Sequence, residues 1–269
     1  FPALGLDHIS VCHEDSIRYL QEMESVDWIF IDPARRDGRG GKTVAISDCE
    51  PDVSALEDLL LEKAPHVLVK LSPMLDLALA LHDLKHVQVA HIVSVNNECK
   101  ELLLVLGRET HLSSEEVPIH CINLMTSQTT QCLLFTRQQE KEYSCPYTST
   151  LKTYLYEPNA SILKAGAFRS VSSIYNVEKL HPNSHLYTSD KYIPDFPGRR
   201  FLITGSSSLN KKELKELLGT GKKANLTVRN FPASVAELRK RLKLAEGGDT
   251  YLFATTLANE KKVLIICQP

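Results

Sequence analysis

The chain has 269 residues, 43% of them hydrophobic, with 31 Lys and Arg against 33 Asp and Glu for a formal net charge of −2. That is enough for a globular protein of two domains at about 100–200 residues each. No apolar run approaches the ~20 residues of a membrane span, and no signal peptide opens the chain, so a cytoplasmic protein without membrane contact is expected. Seven cysteines without a Cys-x-x-Cys pair argue against a disulfide framework and against zinc, and are expected to be buried, reduced thiols.

The small net charge hides an asymmetry. Residues 1–141 carry 12 Lys and Arg against 22 Asp and Glu, whereas residues 200–269 carry 13 against 6. A basic module facing a polyanion, joined to an acidic one, is the expected arrangement.

In chain order, Phe1-Pro2-Ala3-Leu4-Gly5-Leu6 leads without helix or cap into a strand pattern, His8 to Cys12, as an internal piece of a longer protein would. Glu14-Asp15-Ser16 and a helical run, Ile17 to Leu20, follow. Trp28-Ile29-Phe30-Ile31 has no polar interruption and reads as a buried parallel strand. Asp32 and Pro33 stop it abruptly. In open α/β sheets ligands bind beyond the carboxyl ends of the strands, and Pro33 stiffens the backbone that presents the Asp32 carboxylate. The loop Arg36 to Lys42 is polar and rich in glycine, suited to move over a ligand.

Asp52 caps a helix carrying Val53, Leu56, Leu59, Leu60 and Ala64 at helical spacing, and Pro65 ends it. His66 to Leu71 is a second buried strand, Leu75 to Leu84 a helix apolar nearly all round, and Ala90 to Val95 a third strand. A turn, Asn96 to Lys100, returns the chain as strand Glu101 to Leu106, an antiparallel hairpin.

This succession, with the acid at Asp15 and the Asp32-Pro33-Ala34-Arg35 turn, resembles the second half of a class I S-adenosylmethionine-dependent methyltransferase over residues 6–108. The resemblance implies a Rossmann-like α/β sheet ending in an antiparallel hairpin. It implies S-adenosyl-L-methionine as cofactor, with Asp15, Ser16 and Asp32 on its side of the site. It also implies Asp32, Pro33, Ala34 and Arg35 as the catalytic turn, in which Asp32 accepts a hydrogen bond or proton from the target amine. Asp15 reads equally well as a helix N-cap.

Three departures matter. Ala34 and Arg35 stand where amine methyltransferases of nucleic acids place a second proline and a stacking aromatic, so Arg35 or Arg36 is a candidate fork for phosphate or carboxylate instead. The segment Lys70 to Met74 holds no thiol, which disfavours covalent C5 chemistry. The family's glycine-rich cofactor turn has no candidate before the third-strand position.

Further on, His120 to Met125 and Gln131 to Thr136 flank Thr126 to Thr130 as another hairpin, and residues 137–150 are polar and read as a linker. In Tyr154 to Phe168, Pro158 opens a short helix and Gly166 ends it. Strand Phe201 to Ile203, helix Lys211 to Leu218, strand Ala224 to Asn230, helix Val235 to Leu242 and strands Tyr251 to Thr256 and Lys262 to Cys267 complete the chain. This pattern resembles the THUMP-like domain that follows the catalytic domain in a family of bacterial methyltransferases, within ferredoxin-like/THUMP-like α+β modules. That resemblance implies an RNA partner, tRNA foremost. The candidate nucleic-acid contacts are Arg36, Lys222, Lys223, Arg229, Arg239, Lys240 and Arg241. His82, His86 and His91 are read as structural or surface histidines rather than as metal ligands.

The expected division is a methyltransferase-like domain at 1–136, incomplete at its amino end, a linker and small module at 137–200, and a basic THUMP-like domain at 201–269. Two functions stay open, an RNA methyltransferase with non-covalent N-methyl transfer and a non-catalytic RNA-binding protein with a degenerate methyltransferase-like half.

Overall fold

The computed structural model describes residues 5–35, 45–126, 129–208, 213 and 223–269. They form two compact units, residues 1–90 with 102–117 and residues 91–101 with 118–269.

In the first unit, α1 (Ser16–Glu22) is capped by Asp15, which accepts the Arg18 amide at 2.9 Å. Lys63 Nζ donates to the Gln21 and Met23 carbonyls at 3.0 Å and closes the other end. β1 (Trp28–Ile31) runs parallel to β4 (His66–Leu71), with Ile31 level with Val69. Between them lie the two-residue strands β2 (Ala34–Arg35) and β3 (Cys49–Glu50), paired antiparallel, and α2 (Val53–Lys63), whose first amides bond to Asp52. Val67, Val69 and Leu71 of β4 are buried. α3 (Leu77–Asp83) starts at its cap Asp76 and buries Leu77, Ala80 and Leu81. Glu57, buried on α2, accepts the amides of Lys85 and His86 and ties α2 to the start of β5 (Val87–Val95). β6 (Glu98–Gly107) lies antiparallel beside β4, so the strand order here is β1, β4, β6, β5.

Three expectations need correction. Residues 8–12 form no strand, and Val11 is exposed. β1 is parallel, but as the edge strand of its sheet among the described residues it leaves Trp28 54% and Phe30 61% exposed instead of burying them. The hairpin turn has two residues, not five: Asn96 and Asn97 hold φ of 48° and 66°, the left-handed pair that a two-residue turn between twisted strands requires and that asparagine tolerates.

The second unit holds the outer parts of β5 and β6. Beside β5 stand β7 (Ile119–Leu124) and β8 (Gln131–Phe135), the expected second hairpin. The segment read as a linker instead begins with α4 (Arg137–Glu142), started by a Thr136–Gln139 capping box. β9 (Tyr154–Pro158) follows. Asn159, one residue after the expected Pro158, caps α5 (Ala160–Ala165), and Gly166 ends it at φ +73°. α6 (Phe168–Tyr175) has Glu140 at its N-terminus, accepting the Arg169 and Ser170 amides at 2.7 and 2.8 Å.

Then come β10 (Glu178–Lys179), β11 (Tyr187–Ser189), β12 (Gly198–Ser207), β13 (Asn225–Arg229), α7 (Val235–Leu242), β14 (Tyr251–Thr256) and β15 (Lys262–Gln268). They build a seven-stranded sheet of order β10-β11-β9-β12-β15-β14-β13, with only the β13–β14 pair parallel, joined through α7. One face buries Leu155, Phe201, Phe253 and Ile265; the other buries Leu226, Leu238, Leu252 and Ile266. Gly198 is required where β12 meets β9, because a Cβ there would stand 2.1 Å from the Glu157 carbonyl oxygen. The helix expected at Lys211 to Leu218 lies outside the described residues apart from Glu213. Of the cysteines only Cys49, Cys121 and Cys267 are buried, while Cys12 and Cys132 are exposed.

Candidate functional site

The register of β1 on β4 sets the first candidate site. Asp32 follows Ile31, and Lys70 follows its partner Val69, so the two side chains meet at the strand ends and pair through Lys70 Nζ and Asp32 Oδ2. Pro33 is buried, and Ala34 enters the short ladder opposite Glu50. Arg35 is placed only by its backbone in β2, and Arg36 lies outside the described residues. The turn is therefore braced on both sides, by the β4 lysine and by β3. Lys70 is a participant that sequence reasoning missed, and its signal was a cation between Val69 and Leu71 in an apolar strand.

Asp15 uses Oδ1 to cap α1, and Ser16 is the first helical residue. No hydrogen bond joins Asp15 to Asp32 among the described residues.

The basic residues separate by environment. Lys223, Lys240 and Arg241 are exposed, and Lys222 lies outside the described residues. Arg239 instead turns inward, 20% exposed, and donates to the Ala224 carbonyl at 3.2 Å. Arg229 is drawn into a cluster: Glu157, buried on β9, receives Arg229 Nε on Oε1 at 3.1 Å and Arg199 Nε on Oε2 at 2.8 Å. A carboxylate this deep is tolerable only because two guanidinium groups share it.

A second network is made of amides. Gln131 Oε1 accepts from Asn123 Nδ2 at 3.0 Å and from Asn159 Nδ2 at 3.2 Å, and its Nε2 donates to the Gly198 carbonyl. Asn97 donates its backbone amide to Asn123 Oδ1, and its own Oδ1 accepts the Ala160 amide at 2.8 Å. Neither network was visible as a motif; each joins residues far apart in the chain.

The histidines read as structural are placed as follows. His86 Nδ1 lies 3.2 Å from Glu57, His82 contacts Asp83, and His91 packs against His120 with ring centres 5.0 Å apart. Burial, and then His120, lowers the pKa of His91.

Residues 154–197 match the family model of a ferredoxin-like domain, and residues 198–269 that of a THUMP-like domain. Among solved structures, the chain is similar to a "putative methyltransferase" from Porphyromonas gingivalis W83, at 44% identity and a TM-score of 0.82, over 90% of this chain and 59% of that one. The chain thus spans about three fifths of that protein's length. No curated protein matches it. The chain is a mixed α/β protein that shares its fold with this methyltransferase neighbour and ends in ferredoxin-like and THUMP-like domains.

Proposed function

We propose that the protein is an S-adenosylmethionine-dependent methyltransferase of the cytoplasm acting on RNA, tRNA foremost, by direct N-methyl transfer. Residues 1–136 form part of the catalytic domain, 137–200 the connecting module and 201–269 the RNA-delivering domain. The observation that carries this reading is the likeness to the P. gingivalis protein across 90% of the chain. The THUMP-like match supports the RNA partner.

The described residues do not by themselves fit the whole cofactor. Residues 5–35 contain one glycine, Gly5, which supplies no cradle of backbone amides, and Asp15 is committed to a helix cap. What this chain contributes is the acceptor side. The Asp32 carboxylate, held by Pro33 and the β2–β3 ladder, accepts a hydrogen bond or proton from the target amine, which shares or displaces the Lys70 ammonium. Fixed geometry is the main requirement of an in-line methyl transfer.

The engagement of both Asp15 and Asp32 within the chain favours a second reading, a non-catalytic RNA-binding protein. One assay separates the two. In the full-length protein, tritium-methyl transfer to undermodified RNA is expected to fall about 10²-fold or more in Asp32→Ala, the scale of a lost acid–base group, with RNA affinity retained. Wild-type transfer in the variant removes Asp32 from the site. No transfer by the parent on any RNA favours the second reading.

A further inference from the structure

We infer that the cleft beside the start of β9 holds one unpaired nucleotide of an RNA strand, with its base on Tyr192 and its phosphate on Arg200. The inference rests on the RNA reading above and names where a single residue of that RNA is taken. The cleft has a volume of about 470 Å³, within the ~300–1,000 Å³ of small-ligand sites. Its position follows from strand register. Tyr154 pairs with Leu202 and Tyr156 with Arg200, which puts Tyr154, Arg200 and Leu202 on one face of β9 and β12. Tyr192 stands beside them with its ring centre 5.4 Å from that of Tyr154, yet 55% exposed. The Arg200 guanidinium lies 5.9 Å from the Tyr192 ring centre.

Charge distinguishes Arg200 from its neighbours. Arg199 and Arg229 give their forks to Glu157, whereas Arg200 donates one N–H to the Pro194 carbonyl and makes no ion pair among the described residues. A guanidinium carries five donors, so Arg200 has several left for an anion. The facing wall is polar and fixed. Gln131 is held by three hydrogen bonds, and the Asn97 Oδ1 is spent on Ala160, which turns the Asn97 amide nitrogen into a donor for a guest. A stacking ring, a cation and amide donors around one nucleotide-sized space suit an unstacked base with its phosphate. A bare anion would not need the rings, and a paired base would not expose its face to them.

The test uses the 269-residue chain and two fluorescein-labelled probes, a mixed-sequence ribo-octanucleotide and an RNA hairpin duplex. Tyr192→Ala is expected to weaken octanucleotide binding about tenfold or more, as loss of one base–aromatic stack does, with duplex binding unchanged. Tyr192→Phe should restore binding, and Arg200→Gln should lower the salt slope by about one unit. Because Tyr192 is mostly exposed, unchanged thermal melting is the expected control. Equal octanucleotide affinity in parent and Tyr192→Ala removes the nucleotide pocket and leaves the RNA reading standing. No binding of either probe by the parent removes both.

Discussion

Glu157 lies 2% exposed on β9 with Arg229 on one carboxylate oxygen and Arg199 on the other. Glu157→Ala would leave two guanidinium groups facing each other across an emptied site. Breaking a buried ion pair costs about 3–5 kcal/mol, but both arginines keep about two fifths of their surface in water and can rehydrate. A loss of about 2–3 kcal/mol by urea denaturation is therefore expected, and a change within ~0.5 kcal/mol would show the cluster to be dispensable. His185 is expected to contribute to the pH dependence of stability. Burial, helped by Lys179 and Arg229, lowers its pKa from 6.5 to about 4. Its Nδ1 is buried without a hydrogen-bond partner among the described residues. Between those two values the unfolded chain binds a proton that the folded chain refuses, so stability present above pH 6.5 is lost as pH falls towards 4. His185→Asn, which suits the local φ of 53° and does not titrate, should flatten that part of the pH–melting curve. An unchanged slope would assign the response to other groups.

At the scale of elements, α7 shows how a helix divides a basic run. Ser234 and Glu237 form its capping box, and Arg239, Lys240 and Arg241 fall in its last turn, where cations favour the helix dipole. Successive residues are ~100° apart around a helix, so the three cannot share a face. Arg239 packs back towards Ala224, while Lys240 and Arg241 point to solvent. Neutralising Lys240 and Arg241 to glutamine should weaken RNA binding and lower the salt slope by about two units, with only the small fall in melting temperature that losing two cations beside the helix C-terminus brings, about 0.3–1 kcal/mol each. Arg239→Glu should lower the melting temperature further, because it also removes the hydrogen bond to the Ala224 carbonyl. An identical salt slope in the Lys240 and Arg241 double variant would take α7 off the RNA surface. The bounds of α7, β4 and β14 were legible to the residue, because helical periodicity in the first and short, largely apolar runs in the other two end at a cap or turn. The 8–12 segment was not, because an apolar pattern becomes a strand only when another strand pairs with it.

At the scale of the molecule, the described residues offer the proposed methyltransferase site one strand-end carboxylate, Asp32, and one helix-capping carboxylate, Asp15, whereas a class I site also needs anchors for the methionine part and the ribose. The expected dissociation constant of this chain for S-adenosylmethionine is weaker than about 1 mM, or roughly −4 kcal/mol. Calorimetric titration checks it. A micromolar constant would mean that the described residues, or those beside them, build the cofactor site in another way.

The sequence by itself determined the α/β class, the parallel relation of β1 and β4, both hairpins, the Asp32-Pro33 strand end and the concentration of basic residues in the last 70 positions. All of these rest on short-range information: periodicity, turn chemistry and composition. Tertiary structure decided which faces those elements bury and which residues meet. Among the described residues it left Trp28 and Phe30 on an edge strand, placed β6 between β4 and β5, and brought Lys70 to Asp32. It also joined Glu157 to Arg199 and Arg229, which stand 42 and 72 positions away. The reason is physical. A lone charge inside an apolar stretch shows that a partner is needed, because burying it unpaired would be prohibitive, but the partner is chosen by strand register, and register is set by the packing of the whole sheet.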